Sequence, residues 1–279
     1  MRIATWNVNS LKARLPKVEE WLGYAAPDVL CMQETKLADA AFPVMAFNTL
    51  GYEVAFHGNG RWNGVAIASR VGLEEPRPGF VGEEPAEIEQ CRILSARCGG
   101  VLVASVYVPN GRLVGSEHYE AKLAWLERLR RDLAEQCSPE DPIAICGDYN
   151  IAPEDRDVFD PRSFAGATHV TPAERAAFNR FIEWGLSDAF RLVYPETDQL
   201  FTWWDYRAGD FHKHRGMRID HVLVSRPLAE RVSYGLIDRE ARKGMGGERP
   251  PSDHAPLLID IDWVAGLDRR PAPPGKAGS

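Results

Sequence analysis

Nine short runs rich in β-branched and aliphatic residues, at 2–8, 28–34, 52–57, 64–69, 92–97, 101–108, 142–148, 219–225 and 255–261, constrain the fold of this chain most tightly. Runs of this length and composition read as strands. Several follow one another with no helical stretch between them, which argues against a doubly wound parallel sheet. The expected fold class is α/β, with two packed sheets covered by helices. Most of the runs leave the apolar interior through a polar residue, at Asn7, Glu34, Tyr107, Asp148 and Asp220. That recurrence predicts one sheet edge, or a pair of edges, where functional groups emerge together.

Helices are fewer but carry clear signals. Thr171-Pro172-Ala173-Glu174 is a capping box with proline in the first turn; Phe178, Phe181 and Ile182 follow at helical spacing, and Gly185 stops the helix. Between 117 and 135, Tyr119, Leu123, Leu126, Leu129 and Leu133 form an apolar stripe, with Lys122, Glu127, Arg128 and Arg130 placed on the other face. In the first helical segment Pro16 is expected to set the start, with Val18 and Leu22 facing inward. The segment 265–279, AGLDRRPAPPGKAGS, has too little apolar content to pack, so one folded domain over 1–264 with a disordered tail is expected.

The five cysteines are scattered without a C-x-x-C pair, which supports neither a disulfide framework nor a zinc site. No segment has the length of a membrane span and the first residues lack a secretory apolar core, so a cytoplasmic location is expected. The net charge of -7 looks unfavourable for a nucleic-acid partner. A carboxylate-rich cation site accounts for part of that charge, and binding depends on its local distribution.

Phosphodiester hydrolysis needs a hard cation on carboxylate oxygens, a group that orients or deprotonates water, and donors for the phosphoryl oxygens. Glu34, Asp148, Asp220 and Asp253 supply oxygens; Asn7, Asn9, Asn110 and Asn150 can orient; Tyr107 and His254 can donate. Each is ambiguous alone. Gln33-Glu34 could be a solvated strand end, Gly147-Asp148-Tyr149-Asn150 a turn, Asp253-His254 a cap, and Arg218-Ile219-Asp220 a surface ion pair. Their joint occurrence at the ends of apolar runs favours a site.

In order, Thr5-Trp6-Asn7-Val8-Asn9, Gln33-Glu34-Thr35-Lys36, Trp62-Asn63-Gly64-Val65-Ala66, Tyr107-Val108-Pro109-Asn110-Gly111, Gly147-Asp148-Tyr149-Asn150-Ile151-Ala152-Pro153, Arg218-Ile219-Asp220 and Ser252-Asp253-His254-Ala255-Pro256 resemble the successive motifs of the exonuclease III family of AP endonucleases. The resemblance spans residues 1 to about 262. It implies the DNase I-like four-layer α/β sandwich, two packed mixed β-sheets flanked by helices. It also implies Mg²⁺, with Mn²⁺ as a substitute, held among Asn7, Glu34, Asp148, Asn150, Asp253 and His254. Tyr107, Asp148, Asn150, Asp220 and His254 would be catalytic: Asp148 for the attacking water, His254 for the scissile phosphate, Asp220 for the histidine's tautomer and Tyr107 for the phosphate or leaving group.

Phe201-Thr202-Trp203-Trp204-Asp205-Tyr206-Arg207 and Gly216-Met217-Arg218-Ile219 resemble that family's abasic-nucleotide pocket, with Trp203, Met217 and Ile219 as an apolar hole and Asn110 beside it. Core packing is the alternative for Trp203 and Ile219. Arg207, Lys213 and Arg215, and in a second stretch Arg242, Lys243 and Arg249, are candidates for DNA backbone contact against the plainer reading of solvated loops. Many members place a small residue where this chain has His169. An imidazole there implies crowding of an extruded nucleotide's path, the alternative being a solvent-facing side chain that contacts a phosphate or nothing. The implied activity is abasic-site cleavage 5′ to the lesion with 3′–5′ exonuclease and 3′-phosphatase or phosphodiesterase action, on double-stranded DNA with abasic sites or blocked 3′ ends, by a monomer. Specialisation for 3′-end cleaning, an inositol or lipid phosphatase, and a catalytically dead DNA-binding module are the competing readings.

Overall fold

The computed structural model describes residues 1–82, 90–243 and 250–264. The expected tail at 265–279 and Arg249 lie outside the described residues. Among the described residues, twelve strands form two six-stranded sheets. The first contains β1 (Arg2–Asn7), β2 (Val29–Gln33), β3 (Glu53–His57), β4 (Val65–Ser69), β11 (Val232–Ile237) and β12 (Leu257–Ile261), in the order β11-β12-β1-β2-β4-β3. The second contains β5 (Glu74–Pro78), β6 (Ile93–Cys98), β7 (Val101–Tyr107), β8 (Ile143–Asp148), β9 (Leu186–Asp188) and β10 (Asp220–Ser225), in the order β5-β6-β7-β8-β10-β9.

Each sheet has one parallel pair, β1 with β2 and β7 with β8, and its remaining pairs are antiparallel. Parallel neighbours need a crossover. Helix α1 (Leu11–Ala25) makes one; after the short α2 (Val44–Thr49), α3 (Glu117–Gln136) makes the other. The chain continues through α4 (Pro172–Trp184), α5 (Ala189–Val193) and α6 (Arg226–Ala229).

Strand periodicity of two sorts each run into two faces. Ile3, Val29, Cys31, Val101, Val103, Ala144, Cys146, Val222 and Val224 point between the sheets and make their shared core. The alternate residues of the first sheet, Ala4, Trp6, Leu30 and Met32, pack on Val18, Trp21 and Leu22 of α1. Those of the second, Ile143, Ile145 and Leu223, pack on Leu126, Leu129 and Leu133 of α3 and Phe178 and Phe181 of α4. The four-layer sandwich follows from these two opposed faces.

The nine sequence-read strands are present, with ends shifted by one or two residues. Three further strands lacked the expected signal. β5 reads EEPRP at the edge of its sheet, β9 has three residues, and β11 is an edge strand with mostly accessible side chains. Pro16 lies inside α1 instead of starting it. Ile182 is 38% exposed, and Ala177 takes its place in the core. Lys122, placed by the stripe on the polar face of α3, is completely buried. In β8 a Cβ on Gly147 would lie 1.9 Å from the Val106 carbonyl oxygen, so glycine permits this close approach of β7 and β8.

Arg218 is also buried, which corrects the reading of a surface ion pair. Its Nε donates to Asp157 Oδ1 at 2.7 Å and its Nη1 to Asp188 Oδ2 at 2.6 Å, and Arg191 also pairs with Asp157. Burial raises both carboxyls, but the guanidiniums outweigh it and hold Asp157 and Asp188 below the usual carboxylate range. Because their folded-state values are depressed, the stabilisation is complete above the unfolded value near about 3.9 and drains away as pH falls through the folded values. Urea unfolding should therefore give a midpoint that declines steadily below about pH 5. Arg218→Met, which leaves Asp157 with Arg191 alone and takes the guanidinium from Asp188, should cost about 3 kcal/mol at pH 7. An unchanged midpoint for that variant would refute the assignment.

Candidate active site

The carboxyl ends of both parallel pairs open at the same edge of the sandwich, the usual location for a ligand site in parallel strand arrangements. β10 runs antiparallel to β8 and β12 antiparallel to β1, so the residues at and just before their starts reach that edge too. Side-chain alternation carries the inter-sheet face outward from apolar to polar: Ile3-Thr5-Asn7 in β1, Cys31-Gln33 in β2, Val103-Ser105-Tyr107 in β7 and Cys146-Asp148 in β8. Between core and surface, Thr5 donates to Gln33 Oε1 at 3.2 Å, Gln33 Nε2 to Ser105 Oγ at 3.0 Å, and Ser105 Oγ to the Met32 carbonyl at 3.0 Å. Tyr107, Asp148 and Asp220 are consecutive partners across the second sheet.

Asn7 spans the two sheets. Its Nδ2 donates to Glu34 Oε1 at 2.8 Å and to Asp148 Oδ2 at 2.9 Å, while its Oδ1 accepts from the Asn9 amide at 3.0 Å. The Ser252 hydroxyl donates to the Asn7 carbonyl at 2.6 Å. Asp148 Oδ1 accepts from the Asn150 amide at 2.9 Å. Asp220 Oδ2 lies 2.8 Å from His254 Nδ1, and His254 Nε2 lies 3.8 Å from Asp148 Oδ2. Asp253 accepts from Asn9 Nδ2 at 2.9 Å and Trp203 Nε1 at 3.1 Å, and the Lys36 ammonium lies 2.8 Å from Glu34 Oε2.

Burial disfavours the His254 imidazolium, but Asp220, then Asp148 and Asp253, outweigh it and push its pKa up to about 10. It is a cation at neutral pH. Burial raises Asp148; His254 pulls it down, Asp220 pushes it up, and it settles at about 7. The Tyr107 phenol is pushed well up, by burial first and then by Glu34 and Asp148, so it stays neutral. Burial also raises Asp253, but His254, Trp203 and Asn9 hold it below the usual range.

A cleft of about 200 Å³ is lined by Glu34, Tyr107, Asn110, Asp148, Asn150, His169, Trp203, Ile219, Asp253 and His254. Asn7 lies fully buried under it. Met217, expected in the lining, is instead 3% exposed and packs behind the cleft with Ala152, Val158 and Ile219. The ligand atoms of Asp148, Asp220 and His254 lie within 4.8 Å of one another, close enough to hold a metal. We read that trio as an ion pair, because Asp220 fixes one ring nitrogen and a charged imidazole has no free lone pair. The remaining oxygen-rich set of Glu34, Asp148, Asp253, Asn7 and Asn150 suits a hard divalent cation.

His169 is partly buried in the cleft, with φ 81° and Nδ1 2.6 Å from the Asn150 carbonyl oxygen. Burial and the neighbouring Lys122 charge lower it to about 4, so it is neutral, and the carbonyl acceptor places the proton on Nδ1. The ring is thus tied to the protein through Nδ1 and faces the cleft. Arg207, Lys213, Arg215 and Lys243 are exposed. Arg242, expected at the DNA backbone, is 6% exposed, donates to the Trp204 carbonyl at 3.1 Å and stacks on Tyr206 and Phe211, so little of it is open to a phosphate.

Sequence reasoning gave no role to Arg92, whose guanidinium lies 4.8 Å from the Tyr107 ring centre and donates to the Tyr107 carbonyl at 3.2 Å. It also missed Thr202, whose Oγ1 accepts from the amides of Ile219 and Asp220 at 3.1 and 3.2 Å. A lone arginine before a strand and a threonine beside two tryptophans carry no pattern that marks them. Ser252 stood within a quoted motif, but only the fold shows its bond to Asn7.

The sequence profile of the Endonuclease/Exonuclease/phosphatase family matches residues 4–254. Exodeoxyribonuclease III of Haemophilus influenzae is 36% identical over 277 residues, covering 94% of this chain and all of that protein. An AP endonuclease structure from Archaeoglobus fulgidus superposes with a TM-score of 0.89 at 38% identity, covering 94% of this chain and 100% of that one. The 3′ phosphatase NExo from Neisseria, solved with a product DNA hairpin, gives 0.86 at 37% identity with the same coverage. With its sandwich and the groups at its open edge accounted for, this chain belongs to the Endonuclease/Exonuclease/phosphatase family.

Proposed function

We propose that this chain is a divalent-metal-dependent DNA-repair phosphodiesterase whose catalytic unit spans 1–264. It cleaves 5′ to abasic sites and acts on 3′ ends as an exonuclease, phosphatase and phosphodiesterase. The observation that carries the reading is the pairing of two differently charged groups in one cleft: a carboxyl at about 7, Asp148, and an imidazolium at about 10, His254. Groups driven apart in this way suit a base and a donor respectively.

Glu34, Asp148 and Asp253, with Asn7 and Asn150, would hold Mg²⁺ or Mn²⁺. When bound, the cation supplies positive charge for the phosphoryl oxygens and acidifies water. Asp148, held by Asn7 Nδ2 and the Asn150 amide, orients the attacking water and accepts its proton. His254, kept charged by Asp220, donates from Nε2 to a phosphoryl oxygen. The neutral Tyr107 phenol is a second donor, and Asn110 borders the same space. Trp203 and Ile219 give the cleft an apolar wall that a sugar without its base can meet without stranding polar base edges. Such a wall does not suit the hydroxyl-rich headgroup of an inositol phosphate.

Glu34→Ala, Asp148→Asn and His254→Ala should each lower hydrolysis of an abasic duplex by about 10²-fold or more, through loss of cation binding, water activation and phosphate stabilisation respectively. Cooperative unfolding should persist in all three. EDTA should abolish wild-type activity and Mg²⁺ restore it; full activity in EDTA would reject the mechanism. Phosphoinositide hydrolysis at a rate matching that on the abasic duplex would favour the lipid reading.

Duplex binding should weaken steeply between about 50 and 200 mM salt despite the net charge of -7, because local Lys and Arg displace counterions from DNA. Arg207, Lys213, Arg215 and Lys243 are the exposed candidates for those contacts. A flat dependence of the dissociation constant on salt would exclude this mode of recognition.

His169 favours a second reading, specialisation for 3′ ends. A neutral ring pinned to Asn150 narrows the cleft where an extruded nucleotide would enter, and a 3′-terminal phosphate needs no extrusion. Removing the ring with His169→Gly should raise internal abasic cleavage relative to 3′-phosphate removal by about tenfold, the scale of one modest steric penalty. Rates on the two defined duplexes, compared in parallel, check this; an unchanged ratio removes the steric role.

A further inference from the structure

Lys122 sits on α3 and none of its side chain is exposed. A buried ammonium is costly unless its three donors are met. All three are: Glu174 Oε1 lies at 2.5 Å, the Asn150 carbonyl oxygen at 2.7 Å and the Asn110 carbonyl oxygen at 3.3 Å. Only one partner is a carboxylate. The other two are the backbone carbonyls of the two asparagines that line the cleft.

Those asparagines are also joined directly, Asn110 Nδ2 donating to Asn150 Oδ1 at 3.2 Å. Asn150 holds a left-handed φ of 52°, and its own amide bonds Asp148 Oδ1. A tilt of the Asn150 backbone therefore reaches Asp148 through one hydrogen bond. Gly111 makes room for the lysine stem: at its φ of +87°, a Cβ would stand 3.0 Å from Lys122 Cδ and 3.0 Å from Thr168 Oγ1. On the far side Glu174 accepts from Thr168 Oγ1 at 2.7 Å and the His169 amide at 2.9 Å. The ion pair thus fastens the three loops that wall one side of the cleft.

We infer that Lys122 is a positioning residue for hydrolysis, acting through the carbonyls of Asn110 and Asn150 to set the spacing of the two loops and the aim of Asp148. The inference rests on the site reading above. Losing a lysine that served stability alone would leave kcat unchanged in a chain that still folds; losing this one releases both carbonyls.

The test is a double-mutant cycle on the full chain with Mg²⁺ and a 3′-phosphate duplex, using K122M, D148N and the pair, read on the residual activity of D148N. K122M should lower kcat by about 10–100-fold, the scale of a displacement of roughly 1 Å in the site, with KM within about threefold. In the D148N background the same change should cost less than about threefold, because the carboxylate being aimed is already gone. Equal losses in both backgrounds, or a native kcat in folded K122M, overturn the proposal. Where K122M does not unfold cooperatively, K122R carries the cycle: it keeps the charge, but its planar fork does not reproduce three tetrahedral contacts. Its expected loss is about tenfold, with the same non-additivity. A wild-type kcat for D148N overturns the site reading itself; an impaired D148N with additive losses overturns only the role of Lys122.

Discussion

Several carboxylates and an imidazole are gathered where two sheets meet, and the cost of keeping charge away from water governs the surrounding structure. The Asn7 amide meets the largest part of that problem by giving one proton to Glu34 from its own sheet and one to Asp148 from the other. A carboxylate in its place would add a third negative charge, and a lysine would consume the charge that His254 and a cation answer. A neutral two-proton donor on the central strand of one sheet both fastens the sheets and leaves the site electronegative. The His254–Asp220 pair, the Thr5–Gln33–Ser105 belt and the Ser252 bond to Asn7 extend the same satisfaction of buried polar groups outward.

Much of the fold was legible because strand alternation is a local signal. Ile3, Thr5 and Asn7, or Cys146 and Asp148, share a face by arithmetic alone. What alternation does not give is the partner of a strand, which explains why the short β9, the polar β5 and the partly exposed edge strand β11 passed unnoticed. Helical periodicity failed at Lys122 for a related reason: a charged side chain on the apparent polar face is buried when other segments supply its acceptors. Met217 and Arg242 show the same limit. Each was placed in a cleft or a basic loop from its neighbours in sequence, and each turned inward because a backbone bridge or a pair of aromatic rings received it.

The site residues were recoverable because they flank the ends of apolar runs, and seven motifs in order are more informative than any one. The supports around them were not. Arg92 and Thr202 act on backbone groups, whose demand for donors and acceptors is independent of residue type and so leaves little mark in a single sequence.

The pairing of β1 with β12 has a temporal consequence. The central strand of the first sheet lies among the earliest residues of the chain, yet one of its two neighbours lies more than 250 residues later; the Met1 amino group bonds Ile261 at 2.7 Å across a separation of 260. Asn9 likewise waits for Asp253, 244 residues away. A chain still emerging from the ribosome therefore holds Glu34 and Asp148 without His254, the group that would answer the phosphate. The cleft is therefore assembled only when the two ends of the sequence meet, and its geometry is among the last things the folding chain acquires.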